Sequence, residues 1–237
     1  MEVLLREKIS QNLAKIKQDI EGYNPTVVAV SKYYSAGHMV EAYRCGIRDF
    51  GESRVLDAAL KINELDDETR LNSNYHLIGH LQTNKAKKAV VPYGCGSCSN
   101  ASPSTHGSRA LFGLIQSVES FELAKEISKY AAANGIVQKV LIQVNNAFEQ
   151  SKFGIAPSQL ENFLEQIRGL SNIEVEGLMN MAPYGATDAE LKKLFSEMHR
   201  LKEACGLREL SMGMSNDYKI ALGEGATIIR LGRILFE

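Results

Sequence analysis

Apolar residues at Val3, Leu4, Ile9, Leu13, Ile16 and Ile20 recur among charged neighbours at the spacing of one helical face. Gly22 and Pro25 end that pattern. The period then changes: TVVAVS (26–31) is an unbroken apolar, β-branched run, as in strands covered on both sides. Seven further strand candidates follow, around Arg48–Phe50 and at YHLIGH (75–80), LIQSV (114–118), KVLIQVN (139–145), IEVEGLM (173–179), ELSM (209–212) and TIIRLG (227–232). Helical stretches such as ESFELAKEISKYAAANG and DAELKKLFSEMHRLKEACG separate them. Strand–helix alternation of this kind marks parallel βαβ units. Eight units predict an α/β fold, a single (β/α)8 TIM-type barrel with an extra N-terminal helix, spanning 1–237 as one domain. Only five residues follow Gly232, so the eighth helix is expected to be rudimentary and the N-terminal helix to cover the gap. An open doubly wound sheet is the alternative, but no GxGxxG follows the first strand.

One region breaks the rhythm. Residues 93–113 are rich in Gly and Ser with little apolar periodicity, an insert expected to be a disordered or protruding loop on the face opposite the active site. Composition narrows the function classes. Twenty-seven basic and twenty-eight acidic residues leave a net charge of −1, which offers no field for nucleic acid or an anionic membrane. The N-terminus carries charges throughout, unlike a secretory leader, and no stretch reaches the ~18 apolar residues of a membrane span. Four irregularly spaced cysteines fit a reducing, cytoplasmic setting better than a disulfide framework. Cys95 and Cys98 with His106 are too few for a structural zinc, so no metal site is expected. Lys85, Lys87 and Lys88 read as a solvated helix face, and His76 and His80 as structural histidines.

Candidate chemistry gathers at strand ends. Lys32 follows the first strand directly, where a barrel opens its active site, and partial burial there frees an amine for Schiff-base formation. A solvated lysine starting a loop is the plainer alternative. SMGMSNDY (211–218) and ATIIRLGR (226–233) end the last two strands, a frequent position for phosphate. Ser211 and Ser215 supply hydroxyls, Gly213 and Gly232 allow close backbone approach, and Ser215–Asn216 can cap the next helix. Taken alone, these are also ordinary turn residues.

VVAVSK (27–32), FGES (50–53), HLIGHLQTNK (76–85), KFGI (152–155), EGLMNM (176–181), LSMGMSNDY (210–218) and IRLGRILF (229–236) together resemble the pyridoxal-phosphate homeostasis family. Members are also called YggS-type or PipY-type proteins and are related to the N-terminal barrel of alanine racemase. The resemblance spans the chain apart from the 93–113 insert. It implies pyridoxal 5′-phosphate (PLP) as cofactor, held as a Schiff base on Lys32. It matches Ser211, Ser215, Gly232 and Arg233 to phosphate-holding segments, and Arg230 to the arginine facing the pyridine nitrogen. An arginine keeps its proton, disfavours a protonated ring and so opposes strong electron-sink chemistry. Ser53 stands where the family usually has Asn, which puts a cofactor contact from that position in question.

A racemase needs acid/base groups on both faces of the substrate α-carbon. In alanine racemase the second comes from a separate β-domain, and none is expected here. The expected function is therefore a cytoplasmic, monomeric carrier or buffer of PLP that contributes to vitamin B6 and amino/keto-acid balance, with apo PLP-enzymes as recipients. A slow amino-acid racemase using Tyr33, Tyr34 or Tyr184 is the enzymatic alternative, and docking through the insert is a third.

Overall fold

The strands β1 Thr26–Val30, β2 Asp49–Glu52, β3 Asn74–Leu77, β4 Leu114–Val118, β5 Gln138–Gln143, β6 Ile173–Met179, β7 Glu209–Met214 and β8 Ile228–Leu231 form a closed, all-parallel barrel. In this computed structural model the described residues are 2–93, 109–147 and 153–237. Each strand pairs with its sequence neighbour, and β8 returns to β1 with Val28 opposite Arg230. The apolar runs that mark these strands follow from closure, because one face meets the lumen and the other the helices. All five residues of β4 and all four of β8 are buried. Strand β2 extends to Glu52, beyond the expected stretch around Arg48–Phe50, because Gly51 and Glu52 pair with His76 and Leu77.

The helices are α1 Glu2–Asp19, α2 Ala36–Arg44, α3 Val55–Asn63, α4 Asp67–Leu71, α5 Ala86–Ala89, α6 Phe121–Ala133, α7 Leu160–Arg168, α8 Asp188–Ala204, α9 Tyr218–Gly223 and α10 Arg233–Phe236. Local chemistry starts the longer ones: Ser120 Oγ accepts from the Leu123 N–H at 3.3 Å, and Thr187 with Glu190 forms a capping box. In α8, Leu191, Phe195 and Met198 are buried, four and three residues apart, which makes one stripe against the barrel. Together with strand residues such as Ala29, Phe50 and Ile115, such stripes form the main apolar core. A smaller cluster of Val28, Leu114, Leu141, Met179 and Ile228 packs separately.

The eighth helix is four residues long, and α1 packs against both it and α2, as the sequence leads one to expect. Asn12 Nδ2 donates to the Leu235 carbonyl at 3.2 Å. Arg6 pairs with buried Glu41 of α2, and its hydrogen bond holds that carboxyl below its usual range despite burial. At its other end, Asp19 accepts from the Tyr218 hydroxyl at 2.5 Å and from Lys219 Nζ at 2.7 Å. Helix α1 thus spans the seam between the last and first βα units.

Pro92–Tyr93 and Arg109–Ala110 pair as a two-stranded antiparallel ribbon at the base of the expected insert. Residues 94–108, with Cys95, Cys98 and His106, lie outside the described residues, so the loop and zinc readings lie there too. Lys87 and Lys88 of α5 are exposed, in keeping with a solvated face. Among the described residues no helix is long and apolar enough to cross a membrane.

Candidate active site at the barrel mouth

Lys32 lies in the turn directly beyond β1. The residue before it is fixed twice. Ser31 is fully buried, its Oγ donates to Glu52 Oε1 at 2.7 Å, and Lys61 Nζ bonds both the Ser31 carbonyl and Glu52 Oε1 at 2.8 Å. The side chain of Lys32 is exposed, with Nζ 5.0 Å from the centroid of the Tyr33 ring. The expected partial burial is therefore corrected: the turn carries Lys32 past the end of the strand, where water reaches the amine. Ser53, just past β2, is half-buried against the loop after β3. A Cβ on Gly79 would lie 2.3 Å from the Ser53 carbonyl oxygen, so the two loops touch because residue 79 has no side chain.

The loops after β7 and β8 continue the same side of the mouth. Ser215 is half-buried and Asn216 exposed in the turn before α9. Neither caps that helix; Asp217 occupies the N-cap position, and its Oδ1 accepts from the Met214 N–H at 2.5 Å instead. Burial pushes the Asp217 carboxyl up, against the pull of that bond and of Arg230. Gly213 has φ +90, and a Cβ there would sit 2.7 Å from that of Ala221, so the close approach of β7 to α9 requires glycine. Gly232 stands at the N-cap of α10 beside Val30, the last residue of β1, and Arg233 is exposed. Lys32, Gly232, Arg233 and Ser215 thus follow three adjoining strands, β1, β8 and β7.

Inside the barrel, Arg230 is buried and donates from Nη1 to Ser211 Oγ at 2.6 Å and from Nη2 to the Asn180 carbonyl at 2.7 Å. Burial draws its guanidinium down to about 10, with Asp217 acting the other way, so it stays a cation at neutral pH. Ser211 is three residues short of the end of β7, and its hydroxyl also meets Gln116 Oε1 at 2.6 Å. Ser211, which the sequence matched to a phosphate-holding segment, has its hydroxyl engaged inside the barrel by Arg230 and Gln116. Gln116 Nε2 in turn lies 2.9 Å from His76 Nδ1, and His76 Nε2 lies 3.1 Å from Asp49 Oδ1. Asp49, His76, Asn74, Ala110 and Lys139 line a cleft of about 390 Å³ among the strand starts, opposite the mouth. Sequence reasoning missed Gln116, although a lone amide within the apolar LIQSV strand is itself a signal, because a buried polar group needs a partner.

Elsewhere on the mouth, His80 Nδ1 pairs with Glu119 Oε1 at 2.9 Å, and its ring stacks on Phe153 at 3.8 Å and 10°. Burial raises the Glu119 carboxyl while His80 pulls it down. The three tyrosines offered as acid/base groups differ. Tyr33 is 85% exposed and Tyr184 95% exposed. Tyr34 donates to Glu237 at 2.9 Å and packs against the Phe236 ring, tilted at 33°, with centroids 4.3 Å apart; burial and that carboxylate push its phenol up to about 12. Among the described residues no group of three or more His, Cys, Asp and Glu side chains is placed to hold a metal ion.

A closed barrel with a buried lumen arginine and a lysine just past its first strand is a protein of the alanine racemase barrel class. The family model described as "Alanine racemase, N-terminal domain" matches residues 5–237. Within that class the chain belongs to the pyridoxal phosphate homeostasis protein family. It is 35% identical to the pyridoxal phosphate homeostasis protein of Aquifex aeolicus, over 97% of this chain and 96% of that one. The PipY protein of Synechococcus elongatus, solved without PLP, aligns at a TM-score of 0.81 and 36% identity, covering 97% of this chain and all of that one. The same protein has been solved with PLP bound. Alanine racemase of Clostridium difficile, 14% identical with a TM-score of 0.69, shares the fold over 97% of this chain and 56% of its own length.

Proposed function

We propose that this protein binds pyridoxal 5′-phosphate at the barrel mouth and serves as a carrier or buffer of it, contributing to vitamin B6 and amino/keto-acid balance. The observation that carries the reading is the convergence of Lys32, Ser215, Gly232 and Arg233 on adjoining strand ends, above the buried Arg230 cation. The donor set suits the group: an amine for an aldehyde, a hydroxyl and glycine backbone for a phosphate, and a fixed cation for a ring nitrogen. PLP, when bound, supplies an aldehyde that condenses reversibly with an amine. Lys32 is the residue that takes it, and its exposure suits exchange. Ser215 and the backbone at Gly232–Arg233 would hold the phosphate. Arg230 would face the ring nitrogen as a donor and keep its own proton. Ser211 would serve the site at one remove, by holding Arg230, and Ser53 stands just past β2 at the same mouth.

The carrier reading gains support from the tyrosines. Two are almost wholly in water, and the third is tied to Glu237, so none is poised as a second base. We place the protein in the cytoplasm as a monomer that hands PLP to apo PLP-enzymes.

The test is the absorbance of the purified protein with added PLP, before and after borohydride, beside Lys32→Ala. A band near ~420 nm, trapped covalently on Lys32 and absent in the variant, is the expected result. Activation of an apo-enzyme by the loaded protein tests the carrier role. PLP that cannot be passed on overturns that role, and Cα deuterium exchange in supplied amino acids that vanishes in Lys32→Ala establishes turnover in its place.

A further inference from the structure

Arginine has donors only. The Ser211 hydroxyl 2.6 Å from Arg230 Nη1 must therefore accept from it and send its own proton elsewhere. Gln116 Oε1, at 2.6 Å, takes that proton. This fixes which way the Gln116 amide faces: its NH2 points at His76 Nδ1, 2.9 Å away, so Nδ1 accepts and the imidazole proton sits on Nε2. That proton faces Asp49 Oδ1 at 3.1 Å. Each donor points the same way, from the cation near the mouth toward a carboxylate at the opposite end of the barrel. Gln116 and Ser211 are fully buried, with Arg230 at 4% and His76 at 6% exposure, so water offers no substitute partner.

We propose that Gln116 and His76 are positioning residues for Arg230, orienting the Ser211 hydroxyl as its acceptor and thereby setting how tightly the site retains PLP. The proposal rests on the function inferred above. A Ser211 hydroxyl turned the other way would present its proton to a cation with nothing to accept it. The guanidinium would then lose one of its two anchors and shift against whatever ring lies over it. Neither Gln116 nor His76 needs to touch the cofactor.

The experiment measures the rate of PLP loss from loaded protein, by capture with excess apo-enzyme, together with the visible band and the thermal midpoint of the unloaded protein. Gln116→Met keeps the length of the side chain and removes both polar ends. It is expected to release PLP about tenfold faster and to shift the band, while borohydride still traps the adduct on Lys32. Gln116→Glu keeps an acceptor for Ser211 and is expected to restore release to within about twofold of wild type. Ser211→Ala, a one-atom deletion, should match Gln116→Met, and the double variant should add nothing further. A purely structural role would lower the thermal midpoint, leave release unchanged and show no rescue by Glu. If Gln116→Met does not fold, Ser211→Ala decides: wild-type release there overturns the proposal, as it does in Gln116→Met. Failure of wild-type protein to give any trapped adduct overturns the PLP reading itself and this inference with it. A normal adduct with unchanged release in the variants overturns only the positioning role.

Discussion

Glu52 accepts from both Ser31 and Lys61 while only 2% of its side chain is exposed, and that cluster anchors the residue before Lys32. Glu52→Gln leaves the Lys61 ammonium, 14% exposed, without a counter-charge; a loss of about 3 kcal/mol in denaturant unfolding is expected. Adding Lys61→Met should return part of it, because the unpaired charge is then gone. Tyr34 behaves differently with pH. Its phenol is raised to about 12 by burial and by Glu237, so the fold favours the neutral form. Its contribution is whole below the ordinary value of 10.0 and is lost as pH rises through about 12. The packing of Phe236 should loosen across that window by amide exchange in wild type, and Tyr34→Phe should remove the dependence. At this scale the place of Lys32, in the turn beyond β1, was legible because it follows the least ambiguous strand in the chain. The partners of Ser211 were not legible, because a serine near a strand end does not reveal which distant side chains its hydroxyl meets inside the barrel.

The close contact of loops after β2 and β3 makes Gly79 a sensitive position. In Gly79→Ala the new methyl meets the backbone of Ser53, which has no rotamer to yield, so a cost of about 3 kcal/mol is expected, with weaker PLP retention. Ser53→Asn, which alters only the side chain, should leave stability within about 0.5 kcal/mol. Helix α1 reports on acid. Lys219 and Tyr218 hold the Asp19 carboxyl below its ordinary value of 3.8. Its stabilising contribution is therefore present above 3.8 and lost as pH falls through the lower folded value. Proteolysis at the end of α1 should rise in that acid window, and Asp19→Asn should already show it at neutral pH. Helices with clear stripes were legible as elements, whereas β2 was placed two residues short. Gly51 and Glu52 carry no strand preference of their own and are strand only through pairing with His76 and Leu77.

Closure of the whole barrel follows from eight repeats of one period change, which is why the architecture could be read from pattern alone while the lumen could not. The lumen depends on which strand residues face inward together, and those lie far apart in the chain, as Gln116 and Ser211 do at 95 positions from one another. The same geometry separates two ends. The ribbon at Pro92–Tyr93 and Arg109–Ala110 leads to the strand starts, where Ala110 lines the cleft with Asp49 and His76. Replacing 94–108 by a short Gly-Ser linker should leave borohydride trapping on Lys32 at the wild-type level; a loss of trapping would tie that segment to the mouth.

The polar column through the barrel also carries an evolutionary consequence. A sequence drifting at position 116 toward a residue without an acceptor strands the hydroxyl at 211, and a change at 76 strands the amide at 116. Positions 49, 76, 116 and 211 are therefore expected to be inherited as one unit, so that relatives which differ at one should differ at its neighbours in the column too. Anyone transplanting this mouth onto another barrel would have to move the column with it.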